Sequence, residues 1–192
     1  MLSREKILEC LRQIGEALSI QSLHGEILLA GGAAMCLVHS ARDATKDIDA
    51  LYEPKDVINR IAAKIAEQEN LSASWSNDSV KGFIGPNAPI EEFIAFEGLL
   101  VNTVSADYLL AMKLLSARYG EKDYDDIRFL MNKLEINTVD QAYDVVQTYF
   151  GQNRILPKTG YIIEEIIAEK QENDPEFRGT EHTCHSDPTK RS

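Results

Sequence analysis

The chain lacks the features of a secreted, membrane-spanning or disulfide-stabilised protein. Its 192 residues include three cysteines, and no two of them form a Cys-x-x-Cys pair, so neither a disulfide framework nor a zinc ribbon is expected. No apolar run reaches the roughly eighteen residues of a transmembrane helix, and the first residues lack the apolar stretch of a signal peptide. These absences predict a cytoplasmic protein that does not associate with membranes.

Basic side chains are scarce as well. Lys and Arg number 20 against 31 Asp and Glu, which gives a net charge of −11. A broad nucleic-acid-binding surface is therefore not expected, because the neutralisation of phosphates needs a basic face. A local basic cleft is compatible with this charge, and a nucleotide or a protein partner is easier to accommodate than a tRNA-sized substrate.

Two glycines and two aspartates form the most informative pattern in the chain. An apolar stretch with the length and composition of a buried strand, residues 27–30, is broken by Gly31-Gly32. Fifteen residues after the second glycine comes Asp47-Ile48-Asp49, at the start of another strand-like stretch. Side chains two apart on a strand share a face, so the two aspartates are predicted to point together while the isoleucine enters the core.

These four residues suit phosphate chemistry. Asp47 and Asp49 on one strand face are half of a site for a hard divalent cation, Mg²⁺ or Mn²⁺, that carries a nucleotide phosphate. Gly31 and Gly32 at the start of a helix would let a phosphate approach free backbone N–H groups. Without the glycines a solvated strand face would be the simpler interpretation of the aspartates. A dinucleotide-binding loop is not indicated, because Gly-x-Gly-x-x-Gly is absent.

The run from Gly31-Gly32-Ala33-Ala34 through Arg42, Thr45 and Lys46 to Asp47-Ile48-Asp49 resembles the signature of the polymerase-β-like nucleotidyltransferase superfamily. More narrowly, the chain is similar to small prokaryotic proteins related to the AbiE-type nucleotidyltransferases of abortive-infection systems. Those proteins carry a downstream helix with a lysine and an arginine, then a Lys-Asp-x-x-Asp segment. The resemblance covers residues 25–135, and the downstream segments here are Ala111-Met112-Lys113, Ala117-Arg118 and Lys122-Asp123-Tyr124-Asp125-Asp126.

The resemblance implies roles for further residues. Lys113 would contact the phosphates and neutralise developing charge, although a lysine on the helix surface is an equal alternative. Lys46 and Arg118 would contact the nucleotide. The lysine and last aspartate of the Lys-Asp-x-x-Asp segment stand four apart on a predicted helix, where a surface ion pair would also explain them.

The resemblance also implies a third carboxylate on a neighbouring strand, where it would complete a two-metal clamp and act as the base for the attacking hydroxyl. Glu97 is the best candidate. Asn102 stands where an acid would be natural, and asparagine cannot act as a base. A solvated acidic edge formed by Glu91, Glu92 and Glu97 is an equal interpretation.

Apolar periodicity predicts an α+β fold in which a mixed sheet is followed by a C-terminal helical lobe. The resemblance implies that the sheet is that of a polymerase-β-like nucleotidyltransferase domain. Residues 1–104 would form the α/β core with its N-terminal helix, 105–170 the helical lobe, and 171–192 a disordered polar tail. The predicted helices are 4–19, 33–39, 56–70, 106–119, 123–134, 139–149 and 161–170, and the predicted strands are 27–30, 47–52, 71–75, 80–84, 92–97 and 99–104.

These observations predict a metal-dependent nucleotidyltransferase. It would move a nucleoside monophosphate from a nucleoside triphosphate to a hydroxyl of an unknown acceptor, either RNA or protein. By the resemblance, the setting would be a toxin–antitoxin or phage-defence pair with a cognate partner protein. The alternative is a non-catalytic protein that keeps the fold and binds a nucleotide or a protein partner.

Overall fold

A computed structural model describes residues 1–116, 122–151 and 156–173. The strands within these ranges are β1 (Leu2–Ser3), β2 (Gly25–Leu29), β3 (Ala44–Thr45), β4 (Ile48–Glu53), β5 (Ser76–Asn77), β6 (Ile90–Phe96) and β7 (Leu99–Val104). The helices are α1 (Arg4–Ile20), α2 (Gly31–Leu37), α3 (Lys55–Gln68), α4 (Ala106–Ser116), α5 (Lys122–Lys133), α6 (Val139–Phe150) and α7 (Pro157–Asn173), with a 3₁₀ turn at Ser79–Gly82. None of the described helices is long and apolar enough to cross a membrane.

The centre of the fold is a mixed five-stranded sheet in the order β5-β4-β2-β7-β6. Strand β2 pairs antiparallel with β4 and parallel with β7, so that Leu29 lies between Ala50 and Thr103. The carboxyl end of β2 therefore lies beside the beginning of β4, and the Ala30 N–H donates to the Asp49 carbonyl at 3.0 Å. This register brings the glycine turn and the aspartates together, and it confirms the predicted α+β class with a mixed sheet.

Helices cover both faces of the sheet, because successive strand residues point to opposite sides. Ile27 and Leu29 belong to a core shared with α1 and α3. Leu28 and Ala30 belong to a second core, shared with α4, α5, α6 and α7. The predicted C-terminal helices thus pack directly on the sheet, although the predicted boundary near residue 104 stays a prediction.

The helix predictions are confirmed within one to four residues at most ends. Ser3 caps α1 and accepts from the Lys6 N–H, as its position suggested. Helix α7 begins four residues earlier than predicted, at Pro157, and continues to Asn173, so the first residues of the predicted tail are helical. Residues 174–192 lie outside the described part of the chain.

Two strand predictions are wrong. Residues 71–75 are not a strand, because the buried Trp75 side chain anchors the segment to α3 through an indole N–H donated to the Ala62 carbonyl at 3.0 Å. Residues 80–84 contain the end of the 3₁₀ turn instead of a strand. Tyr108 fixes that region, since its hydroxyl donates to the Phe83 carbonyl and accepts from the Gly85 N–H.

Candidate functional site

A pocket of about 320 Å³ opens where β2 ends and β4 begins. Five parts of the chain line it: the glycine turn, Asp49 of β4, the 3₁₀ turn with the residue that follows it, helix α4 and helix α5. The lining residues are Gly31, Asp49, Ser79, Val80, Phe83, Leu109, Met112, Lys113, Ser116 and Asp123. Asp49 lies in one wall of the pocket, the ion pair of Lys113 and Asp123 lies in another, and apolar side chains complete the lining. The size of the pocket lies at the lower end of the range of small-molecule sites.

Both glycines allow the start of α2 to lie close to the segment that carries the aspartates. Gly31 has φ +56°, and a Cβ built on it would lie 2.9 Å from Asp49 Oδ2. Gly32 is buried and does not line the pocket, and a Cβ there would lie 2.5 Å from Thr45 Oγ1. The glycines therefore let the start of α2 pack against the segment that carries the aspartates, which is a role in the fold that the sequence interpretation did not include.

Asp49 lies in β4, and Asp47 lies in the bend just before it. Burial raises the pKa of Asp47 above its ordinary value, and the negative charge of Asp49 raises it further. The exposed Lys46 ammonium acts in the opposite direction and is the cation that partly offsets this repulsion. Two carboxylates that repel each other attract a cation, and one of them, Asp49, lines the pocket.

Ser79 connects Asp49 to the 3₁₀ turn. Its hydroxyl donates to Asp49 Oδ1 at 2.8 Å, and its backbone N–H donates to Asn77 Oδ1 at 3.0 Å. Asn77 is itself paired with Asp49 in the parallel register of β4 and β5. The pairing of these two short segments thus fixes a serine hydroxyl on the carboxylate.

The wall that contains Lys113 belongs to a network of four charged side chains. Lys113 Nζ lies 2.6 Å from Asp123 Oδ1 and 2.9 Å from Asp126 Oδ2. Arg42 makes a bidentate contact with Asp126, with its Nε at 3.1 Å from Oδ1 and its terminal nitrogen on Oδ2. Because two cations balance two carboxylates here, the network is neutral and the charge of Asp47 and Asp49 is left uncompensated by it.

The network bears on two interpretations that the sequence left open, one for Lys113 and one for Asp126. Lys113 is not a surface lysine, since it is buried and faces the pocket. Asp126 is buried with Arg42 and Lys113 as partners, so it is not a surface residue; the side chain of Lys122 lies outside the described part of the structure. Arg118 lies outside the described residues.

Glu97 is not brought to the aspartates, so its proposed role as a third metal ligand does not fit the geometry. It lies in the turn between β6 and β7 and accepts a hydrogen bond from the Ser19 hydroxyl at 2.8 Å. The adjacent Leu99 is aligned with Gly25, at the opposite end of β2 from Gly31. The acid was misplaced because a strand pattern gives no register, and the parallel pairing of β7 with β2 sends its first residues away from the pocket.

Asn102 does not replace the missing acid. It is buried, and its side-chain amide donates to Glu26 Oε1 at 2.5 Å. Within the described ranges there is no cluster of three or more His, Cys, Asp or Glu side chains placed to hold a metal ion. Asp123 also lines the pocket, but its carboxylate is paired with Lys113, so Asp47 and Asp49 are the candidate metal ligands.

Two carboxylates suit one mode of magnesium binding. Mg²⁺ is commonly held by one or two carboxylates together with substrate phosphates, with waters filling its other positions. Asp47 and Asp49 fit an ion that arrives with a triphosphate better than an ion held by protein ligands alone. A pocket that opens beside them leaves room for the phosphates.

Sequence reasoning missed Ser79 and the pairing of Arg42 with Asp126. Ser79 had no signal, because its role depends on the short β4–β5 pairing. Arg42 and Asp126 were both noted within the resemblance, yet their pairing joins residues 84 apart in the chain. The Arg42 side chain is 18% exposed, and a guanidinium so largely removed from water needs a carboxylate partner. Its degree of burial is set by the fold, so the sequence carried no signal for the pairing.

Comparison with known proteins supports the nucleotidyltransferase interpretation at the level of the family. A family model described as "Nucleotidyltransferase of unknown function (DUF6036)" matches residues 5–155, a span that includes the aspartates, Lys113 and Asp126. Searches of curated proteins and of solved structures gave no match. The match covers most of the chain, and the protein therefore belongs to this nucleotidyltransferase family.

Proposed function

We propose that the protein transfers a nucleoside monophosphate from a nucleoside triphosphate to a hydroxyl acceptor, with Mg²⁺ or Mn²⁺ as the metal. Asp47 and Asp49 would hold the metal with the triphosphate, and Lys113 would face the phosphates from the opposite wall. The metal would neutralise charge on the triphosphate as pyrophosphate leaves. The apolar side chains that complete the lining, among them Leu109 and Met112, would contact the base or sugar.

The observation that carries the proposal is the placement of Asp49 and Lys113 in the walls of one pocket. A triphosphate bound with its metal needs a carboxylate on one side and a cation on the other. The pKa of Asp47 is raised by burial and by the charge of Asp49, and a bound cation would reduce the repulsion between the two carboxylates. Membership of a nucleotidyltransferase family is consistent with this chemistry.

Lys113 has a specific role in this account. Its ammonium is shared between Asp123, which lines the pocket, and the buried Asp126. A phosphate oxygen that entered the pocket would compete with Asp123 for the ammonium, while Asp126 would keep the side chain in place. Asp126 is therefore a positioning residue in the proposal.

The relation to AbiE-type nucleotidyltransferases is part of the proposal, and a toxin–antitoxin or phage-defence setting with a cognate partner goes with it. The contact of Arg42 with Asp126 supports it, because both residues belong to the segments that carry the resemblance. The acceptor would be an RNA end or a protein hydroxyl. The net charge of −11 favours recognition of that acceptor over a small area.

Nucleotide binding gives the first test. Each nucleoside triphosphate is titrated by calorimetry with and without Mg²⁺ into the wild type, Asp49→Asn and the control Asp56→Asn, which changes an exposed residue of α3. We expect Mg²⁺-dependent binding by the wild type and the control, and its loss in Asp49→Asn. Binding that is equal in all three proteins would contradict the assignment of the site.

Group transfer gives the second test. The protein is incubated with Mg²⁺, a cell lysate and triphosphates labelled at the α-phosphate, and labelled components are identified. We expect label on an acceptor with the wild type and none with Asp49→Asn.

The second candidate function is nucleotide binding without catalysis. It is favoured by one observation: among the described residues, no group of three or more His, Cys, Asp or Glu side chains is placed to hold a metal ion. Mg²⁺-dependent binding of triphosphate without transfer to any lysate component would establish this second function in place of the first.

A further inference from the structure

We infer that Ser79 is an internal acceptor, so that the protein attaches a nucleoside monophosphate to its own Ser79 hydroxyl. The inference rests on the proposed function, since it needs a triphosphate bound with its metal at Asp47 and Asp49. It adds an acceptor and a modification site to that function.

The position of the hydroxyl carries the inference. Ser79 Oγ lies 2.8 Å from Asp49 Oδ1, and both residues line the same pocket. In metal-assisted transfer the attacking oxygen must lie beside the metal-binding carboxylates, because the metal orients the attacking and leaving oxygens for in-line displacement. A serine hydroxyl already occupies that neighbourhood, on the same chain.

Ser79 is also both reachable and fixed. Its side chain is exposed, whereas the next residue, Val80, is buried. The backbone N–H donates to Asn77, and Tyr108 holds the far side of the turn through Phe83 and Gly85. A nucleophile held in place loses little conformational freedom when it attacks, and this is the origin of high effective concentrations in intramolecular reactions.

The proposed reaction is a single displacement at the α-phosphorus. Ser79 Oγ attacks the α-phosphorus of the bound triphosphate, so that an O–P bond forms and the bond from the α-phosphorus to the bridging oxygen of pyrophosphate breaks. Pyrophosphate leaves with the electron pair of that bond. The hydroxyl proton passes to water. The product is a phosphodiester between Ser79 and the nucleoside.

The product would occupy the pocket. A nucleoside monophosphate attached at Ser79 would fill most of the volume of about 320 Å³ beside Asp49. A second triphosphate could not then reach the aspartates. Self-modification is therefore expected to switch the protein off, and the modified fraction should not bind triphosphate with Mg²⁺.

The test uses the full chain with Mg²⁺ and each nucleoside triphosphate, labelled at either the α- or the γ-phosphate. The intact mass of the purified protein is measured first, since the step could be complete before purification. We expect retention of the α-label and no γ-label, one added nucleoside monophosphate per chain, and its location on the peptide that contains Ser79. The rate per molecule should not depend on protein concentration, because the attack is intramolecular.

Three variants separate a nucleophile from a residue that only positions Asp49. Ser79→Thr keeps a hydroxyl and should be modified. Ser79→Asn keeps a donor for Asp49 but has no hydroxyl, and it should not be modified. Ser74→Ala changes an exposed serine of the preceding turn and serves as the control that stays modified.

The outcomes distinguish this inference from the proposed function. Label on another residue, or label on Ser79→Asn, would overturn the inference. An unmodified wild type that labels a lysate component would overturn it as well and leave the proposed function standing. A wild type of unmodified intact mass that neither binds triphosphate with Mg²⁺ nor labels anything would remove both.

Discussion

Replacement of Asp126 by asparagine should destabilise the protein strongly, because it leaves two cations with one carboxylate. The Asp126 side chain is 4% exposed, and the side chains of Lys113 and Arg42 are 11% and 18% exposed. Removal of one partner from a buried ion pair costs about 3–5 kcal/mol. The lower end applies here, since Lys113 keeps Asp123 and Arg42 is partly in contact with water.

A loss of about 3 kcal/mol corresponds to a melting temperature about 6–12 °C lower for a chain of this size. The free energy of unfolding is measured by urea denaturation with circular dichroism, and the melting temperature by calorimetry. Asp125→Asn is the matched control on the same helix. Asp125 is 73% exposed and pairs with Arg128 at 3.0 Å, an exposed pair of the kind that contributes under about 1 kcal/mol.

Equal losses in Asp126→Asn and Asp125→Asn would refute this reasoning, because burial of the pair is its only basis. A double-mutant cycle gives a stricter test. The coupling energy between Arg42 and Asp126 should exceed that between Arg128 and Asp125, since neighbouring charges couple most strongly where water is excluded.

Two further predictions concern the glycine turn and a buried histidine. Gly31→Ala should lower the free energy of unfolding by about 1–2 kcal/mol because of the positive φ, and the contact of the new Cβ with Asp49 should lower it further. Gly82→Ala is the control and should change it little, because Gly82 has open space around it and no positive φ. Equal urea midpoints for the two variants would contradict this prediction. Both His39 ring nitrogens are buried without a partner among the described residues, and burial, then Lys133, lowers the His39 pKa. The unfolded state therefore binds the proton first, so stability should fall as pH drops below about 6.5, and His39→Leu should flatten that fall in melting curves recorded from pH 7 to pH 5.

Much of the fold could be predicted, because most of its elements are long and strongly periodic. Helix α1 shows its capping serine and its apolar face in the sequence alone. The segment from residue 71 to residue 84 could not be predicted in the same way. Trp75 and Val80 are apolar, but each is buried by a contact with a distant element, and such contacts leave no period in the sequence.

The site was predictable where it is local. Asp47 and Asp49 are two residues apart, and Gly31 reaches them through one strand pairing, so the sequence pattern was sufficient to group them. Glu97 failed as a third acid because its position depends on strand register. Ser79 depends on a pairing of only two residues per strand, which is too short to give a sequence signal.

The pairing of Arg42 with Asp126 has a consequence for protein synthesis. The two residues are separated by 84 positions, and Asp126 also forms an ion pair with Lys113. Since synthesis proceeds from the N-terminus, the segments that form β2 and β4, with their aspartates, are made before α5. A nascent chain at that stage would have acidic groups at the end of β2 but no anchored cation facing them. The pocket should therefore be able to bind triphosphate only after α5 has emerged from the ribosome. Chains whose synthesis stops before α5 would contain the aspartates but not the complete site.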